Sequence, residues 1–258
     1  ISFSNDSCIN KIGKNVFKKT SLFSISIPAS LEEIDFDYFN ELDQLNDIFV
    51  DPNNPHFLIE GGCLVNKKTE QIENEIKEIK EIVFSPPNLS GDFVVPNGTT
   101  RIKNSSFSRR FGLCSLISST EKLNEIESHS FFNNEKLNQI SIKNNERLKI
   151  GQFCFSESKN LINIDIESKE LILDKNCFEN CFSIQGLLFT KVDKLFIKTE
   201  SFKGCKSLTS FVVRNATLID ADNECFSDLI NLKSIALISR SIKINQKFIK
   251  NCSSLTYI

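Results

Sequence analysis

The stretch Ile197 to Val213, IKTESFKGCKSLTSFVV, decides how the whole chain is read. It sets an aliphatic at Ile197, a small residue and a ring at Ser201-Phe202, then Cys205 and Leu208, and closes on the alternating run Phe211-Val212-Val213. Working outward, the ring returns at Phe17, Phe39, Phe107, Phe131, Phe155, Phe178, Phe202 and Phe226, with Ile249 where the next is due. The steps are 22, 68, 24, 24, 23, 24, 24 and 23 residues. A constant period in the twenties marks a solenoid, in which one coil cannot bury its apolar face without its neighbours. The single long step hides an insertion.

The other columns keep the same period. Five residues before the ring stand Ile12, Ile34, Ile102, Ile126, Ile150, Leu173, Ile197 and Ile244, with Ala221 as the exception. Six residues after it stand Leu45, Leu113, Leu137, Leu161, Ile184, Leu208, Leu232 and Leu255, while the first unit is one residue short and uses Leu22. Units close on triplets such as Ile140-Ser141-Ile142, Ile164-Asp165-Ile166 and Ile235-Ala236-Leu237. Alternation of period two predicts a short strand with one buried face. The segment from the aliphatic to the ring predicts a tight helical or 3₁₀ turn on the opposite side of the coil. Strands of successive coils then stack in parallel, about 4.8 Å apart.

This pattern, an aliphatic, small-Phe, Cys, Leu and an I-x-I close, resembles the BspA-like leucine-rich repeat. Ile197 to Val213 and Ile244 to Ile258 carry the likeness best. The resemblance implies a curved α/β repeat solenoid, a right-handed superhelix rich in β-structure. Parallel strands would line its concave face and short helical turns the opposite side. It implies a single solenoid over residues 1–258, about nine repeats of 22–24 residues. Ala221 departs from the pattern, and so does Arg110, which occupies a Cys position.

The period fails between about residues 51 and 95. Asp51-Pro52-Asn53-Asn54-Pro55 reads as a turn, and Gly61-Gly62-Cys63-Leu64-Val65-Asn66-Lys67 resembles a hairpin found within arrays of this family. Its return strand is expected at Ile82-Val83-Phe84, and Phe93-Val94-Val95-Pro96 rejoins the solenoid. Between them, Glu73 to Glu81 looks like extra material, with Glu73 and Lys77 spaced to support a helix. It reads either as a protruding recognition element or as a solvated extension of the hairpin tip.

Composition narrows the function. The 258 residues carry 31 Lys and Arg against 33 Asp and Glu, a formal net charge of −2. That balance gives no electrostatic reason to expect nucleic acid, and no run of about twenty apolar residues spans a bilayer. The chain has no Met, opens on Ile1-Ser2-Phe3 and stops within a repeat at Ile258, so it is expected to be part of a longer protein.

Six of the nine Cys fall in repeat slots: Cys154, Cys177 and Cys225 before the ring, Cys181, Cys205 and Cys252 after it. They read as compact buried thiols, with a disulfide between stacked coils, Cys154 to Cys177, or a metal site as alternatives. His56 and His129 are isolated, and no nucleophile, base and orienting group come together. An enzyme is therefore not expected, nor any cofactor. Sequons begin at Asn5, Asn88, Asn97, Asn104, Asn215 and Asn251, little above chance for so Asn-rich a chain.

What remains is a binding scaffold with protein ligands. Outward positions of the closing strands form the candidate face: Phe49, Ile117, Ser141, Asp165, Leu188, Val212 and Ala236, beginning from Ser26. The family resemblance implies a cell-surface or secreted adhesion protein. An intracellular, cytoplasmic interaction array is the alternative.

Overall fold

The computed structural model describes residues 1–3, 7–35, 39–72 and 74–258. Its regular unit is clearest in the middle of the chain. The strand Gln139–Ile150 lies in parallel register on Asn163–Leu173, from Gln139 opposite Asn163 to Ile150 opposite Leu173, with a shift between Ile142 and Asn145. That shift is a corner. Before it, Ile140 and Ile142 point inward; after it, Leu148 and Ile150 do. Each coil therefore contributes two strand segments, and the structure carries a second parallel ladder that the repeat pattern did not reveal. Ile102, Ile126 and Ile150, expected on a tight turn, lie in this second ladder.

The expected helical turns are mostly absent. Among the described residues the one helix is the 3₁₀ turn Phe39–Glu41, so the fold is a β-solenoid rather than α/β. The reason lies in the backbone around each ring. Residues two before and two after it adopt positive φ: His129 and Asn133 around Phe131, Phe153 and Glu157 around Phe155, Asn176 and Asn180 around Phe178. A left-handed residue at every fourth position cannot continue a helix. Such residues turn every second N–H along the solenoid axis instead. Ser105, Phe107 and Arg109 donate to the carbonyls of Ser128, Ser130 and Phe132 in the next coil, at 3.1, 2.8 and 2.9 Å. The intervening N–H groups close turns within the coil, Ser106 to Lys103 and Ser108 to Ser105.

Left-handed residues other than Gly cost roughly 1–2 kcal/mol each, and the axial hydrogen bonds offset that. Asn, the cheapest of them, fills Asn15, Asn133, Asn176, Asn180 and Asn251. At Gly204, φ 71°, a Cβ would be strained and would push the Asn180 carboxamide oxygen aside.

Inside, the rings stack. Phe107, Phe131, Phe155, Phe178, Phe202 and Phe226 are fully buried. Successive centroids lie 4.8, 5.2, 5.4, 5.6 and 5.7 Å apart with interplanar angles of 14°, 16°, 6°, 3° and 8°.

The stretch between Val50 and Ile102 is built differently. Phe57–Glu60, Cys63–Ile72 and Glu75–Phe84 form an antiparallel sheet. Glu75–Phe84 is a strand throughout, so no helix forms over Glu75 to Glu81; Glu73 lies outside the described residues. Asn74, at φ 68°, turns the chain between the strands. At its root the hairpin is buried on both faces. Val65 and Ile82 belong to the core of the long array, whereas Leu64 and Phe84 belong to a separate core under the first coils. The hairpin is a wall between two hydrophobic cores.

Arg110 closes the seam beside that wall. It is 2% exposed. Its Nη1 donates to the Ser108 carbonyl at 2.7 Å and its Nε to the Ser85 carbonyl at 2.9 Å. In the following coils the carbonyls equivalent to Ser108, those of Phe132, Ser156, Glu179 and Lys203, accept a backbone N–H from the coil before. The hairpin removes that coil, and the guanidinium supplies the missing donor. Burial lowers its pKa to about 10, and it sits 5.3 Å from the centre of the Phe84 ring. The departure of Arg110 from the Cys position thus has a structural cause.

Candidate binding face

The candidate residues lie on the first ladder, in three blocks. Phe49 is opposite Ser26 in a two-stranded sheet formed by Ser24–Ile27 and Asp47–Val50. Ile117, Ser141 and Asp165 are consecutive partners. Leu188, Val212 and Ala236 are likewise consecutive. Gly186–Phe189 pairs with Ser210–Ala221 and ends the sheet there, so backbone pairing does not carry the column from Asp165 to Leu188.

Alternation turns all of them outward. Phe49 is 61% and Leu188 58% exposed, while Ile117, Ser141, Val212 and Ala236 are half-buried and Asp165 is exposed. Their strand neighbours Leu187, Phe189, Phe211, Val213 and Ile235 are buried. The structure adds Val94, opposite Ile117 and 56% exposed. The alternation of Phe93-Val94-Val95 pointed to it, but the irregular interval around it obscured its place in the column. Ile238, two residues past Ala236, is also exposed. The face therefore has an apolar patch at Val94 and Ile117 and another at Leu188, Val212 and Ala236. Polar Ser141 and Asp165 lie between them.

The second ladder carries ion pairs on either side of a half-buried apolar pair, Ile172 opposite Phe196. There, Lys149 meets Glu125 at 3.1 Å, Arg147 meets Glu170 at 2.9 Å and Lys243 meets Asp220 at 3.2 Å. On the first ladder Lys143 holds Asp165 at 3.2 Å, and Lys191 holds Glu167 at 2.6 Å, but both apolar patches are formed by uncharged side chains. Solvated charge ladders suit a surface that stays wet. Contiguous exposed aliphatics suit one that is covered in use.

The hairpin has its own electrostatics. Glu81, almost fully buried, is held by Arg101 at 3.1 Å and Lys68 at 3.1 Å, and the same two cations bind Glu70 at 3.2 and 2.8 Å. The Lys68 hydrogen bond, aided by Arg101, keeps the Glu70 carboxyl below its usual range. A groove of about 560 Å³ lined by Lys11, Glu33, His56, Asn66 and Lys68 runs beside it.

His129 packs on the Phe153 ring at 5.1 Å, and burial lowers its pKa. Among the described residues no group of His, Cys, Asp and Glu is arranged to hold a metal ion. All nine Cys are free thiols, Cys154 and Cys177 included. Burial pushes Cys205 and Cys225 up to about 12. The sequon residues Asn88, Asn97, Asn104, Asn215 and Asn251 are exposed, and Asn5 lies outside the described residues. Among the described residues no helix is long and apolar enough to cross a membrane.

Parallel ladders, a ring column and a 22–24-residue period define a solenoid of the leucine-rich-repeat class. The family described as BspA type leucine rich repeat region matches in six copies over residues 1–90, 77–195 and 175–258. The chain belongs to that family. Among solved structures, it is similar to a leucine-rich repeat protein from Eubacterium ventriosum, at 21% identity and TM-score 0.66, over 100% of this chain and 59% of that one. One from Bacteroides ovatus matches at 22% identity and TM-score 0.62, over 96% and 63%. A leucine rich cell surface protein from Faecalibacterium prausnitzii matches at 18% identity and TM-score 0.51, over 97% and 51%. The chain spans between half and two thirds of these relatives, and at such identities the likeness concerns the fold. No curated protein matches the sequence.

Proposed function

We propose that this chain is a non-enzymatic protein-binding scaffold whose contact face is the outward column Phe49, Val94, Ile117, Ser141, Asp165, Leu188, Val212 and Ala236. One observation carries the reading: this ladder sets Leu188, Val212 and Ala236 side by side on its outward column with no charge among them, and Leu188 is 58% exposed. A single domain over 1–258 with the hairpin as an insertion, and a concave, right-handed curvature that would gather the column toward one ligand, belong to the same proposal. So does a place at the cell surface or outside the cell, supported by the family and by the similar cell surface protein of Faecalibacterium prausnitzii. The buried free thiols favour the second reading, an intracellular interaction array.

The test is surface plasmon resonance against a panel of purified matrix proteins. The double variant Leu188→Lys/Val212→Lys should keep its circular dichroism and melting profile, because both side chains already face solvent. It should lose at least tenfold in affinity for any matrix protein that the native chain binds. Unchanged binding by a folded variant would move the site off this column.

A further inference from the structure

The hairpin strand Cys63–Ile72 has an open edge. Its first residues pair with Phe57–Glu60, and this contact ends where the Lys67 N–H donates to the His56 carbonyl at 2.7 Å. Beyond His56 the chain turns away through Pro55. On the other side the strand pairs with Glu75–Phe84, from Ile72 opposite Glu75 to Asn66 opposite Glu81. In an antiparallel pair, alternate residues direct their N–H and C=O away from the partner. Lys67 faces outward, as its bond to His56 shows, so Thr69 and Gln71 do as well. Both are exposed. A groove of about 410 Å³ lined by Pro55, His56, Lys67, Lys68, Thr69 and Glu78 leaves the edge accessible at Thr69.

We propose that this edge pairs antiparallel with the same edge of a second copy of the chain, about a two-fold axis through Thr69. Charge selects the partner and the register. With Thr69 opposite Thr69, Lys68 of each copy lies opposite Glu70 of the other, and Lys67 lies opposite Gln71. Slipping by one pair in either direction sets Lys68 against Lys68 or Glu70 against Glu70. Like charges directly opposite destabilise a strand pair, whereas opposite charges and Thr–Thr pairs favour it. Only the two-fold at Thr69 gives two complementary Lys–Glu pairs and no like pair. The Arg101 and Glu81 side chains already hold Lys68 and Glu70 in place on one face of the ribbon. Lys67 and Lys68 deter pairing with an arbitrary strand, but a strand that meets Lys68 with Glu can use the unpaired N–H and C=O groups as a template.

The opposite edge, on Glu75–Phe84, offers less. From Lys80 onward it is occupied, since the Lys80 carbonyl accepts the Thr100 N–H at 2.8 Å and Glu81 pairs with Arg101. Only the tip beyond Lys80 is open.

Sedimentation velocity over a concentration series tests the proposal. The native chain should show a concentration-dependent dimer. Thr69→Pro removes an N–H that makes no bond within the chain, and should abolish the dimer without shifting the melting temperature. Ile76→Pro, on the other edge, should leave it intact. Thr69→Cys should cross-link to itself under mild oxidation, because residues opposite each other in such a pair have Cα atoms about 5.5 Å apart. Gln71→Cys should not. A monomer at every concentration overturns the proposal and leaves the edge to a strand of another protein. A dimer that survives Thr69→Pro, or cross-links no faster at Thr69→Cys than the native chain does, also overturns it.

Discussion

The coils before the hairpin and those after it are written in the same repeat but packed by different geometry. After it, the rings from Phe107 to Phe226 lie nearly parallel, with angles of 3° to 16°. Before it, Phe17 meets Phe39 at 83°, and Phe39 meets Phe84 at 74°. The difference follows the spacing. Steps of 23 or 24 residues carry each ring along the axis with little rotation. The step of 22 and the early Leu22 shorten the first coil, and its ring turns edge-on. Both arrangements are favourable for aromatic pairs, but only the parallel one extends indefinitely. The lesson is that the period, more than the residue, sets how the core propagates.

The sharpest way to break this comparison is to truncate one ring in each region. Phe178→Ala removes a side chain packed on both faces and should cost about 3–5 kcal/mol. Phe17→Ala, at the end of the short stack, should cost less, about 2–3 kcal/mol. Urea denaturation followed by fluorescence-independent circular dichroism compares them. Equal losses would show that the parallel stack adds nothing.

Arg110→Ala tests the seam between the regions. It leaves the carbonyls of Ser85 and Ser108 without their donor, a cost of about 2–4 kcal/mol. It should also let the two cores melt separately, giving two transitions in calorimetry where the native chain gives one. A single unshifted transition would deny the seam its role.

Acid gives the smallest effect, confined to the hairpin. The Glu70 carboxyl is held below its usual range, so its contribution is complete above the unfolded value and is lost as pH falls through the folded one. Below about pH 4, hydrogen exchange should quicken over Cys63–Ile72 while the Phe155 to Phe202 core stays protected. Uniform quickening would mean that the hairpin is no weaker than the array.

Much of this was legible in the sequence. The Phe and Leu columns could be read because periodicity and burial coincide there, and the outward residues followed from strict alternation at Leu188, Val212 and Ala236. The second ladder was hidden because its alternation is short, as in Leu148-Lys149-Ile150, and begins only a few residues after the first strand ends. The left-handed positions were hidden because His129, Phe153 and Glu200 stand in the same columns as Asn and Gly204, so no single residue type marks them. EIKEIKE over residues 75–81 repeats every three residues, which suits neither helix nor strand cleanly. Its pairing with Asn66 to Ile72 decided the matter. Arg110 had no reading in one dimension, since the carbonyls it serves are exposed only by the hairpin.

The axial hydrogen bonds of the ring side give the molecule a polarity. On that side the peptide N–H groups bridging the coils point toward later coils and the carbonyls they meet point back, from Ser105 through Asp228. The peptide dipoles add along the solenoid as they do along a helix, whereas in the ladders of ordinary strands they largely cancel. One flank is thus electrically directional. Coils stack there in one sense only, because a coil turned over would set carbonyl against carbonyl. Any interruption leaves a row of bare acceptors on the later side. At the hairpin the Ser85 N–H still serves the Ser106 carbonyl, and the Arg110 guanidinium takes the Ser108 carbonyl, its positive charge lying at the negative end of the array's dipole.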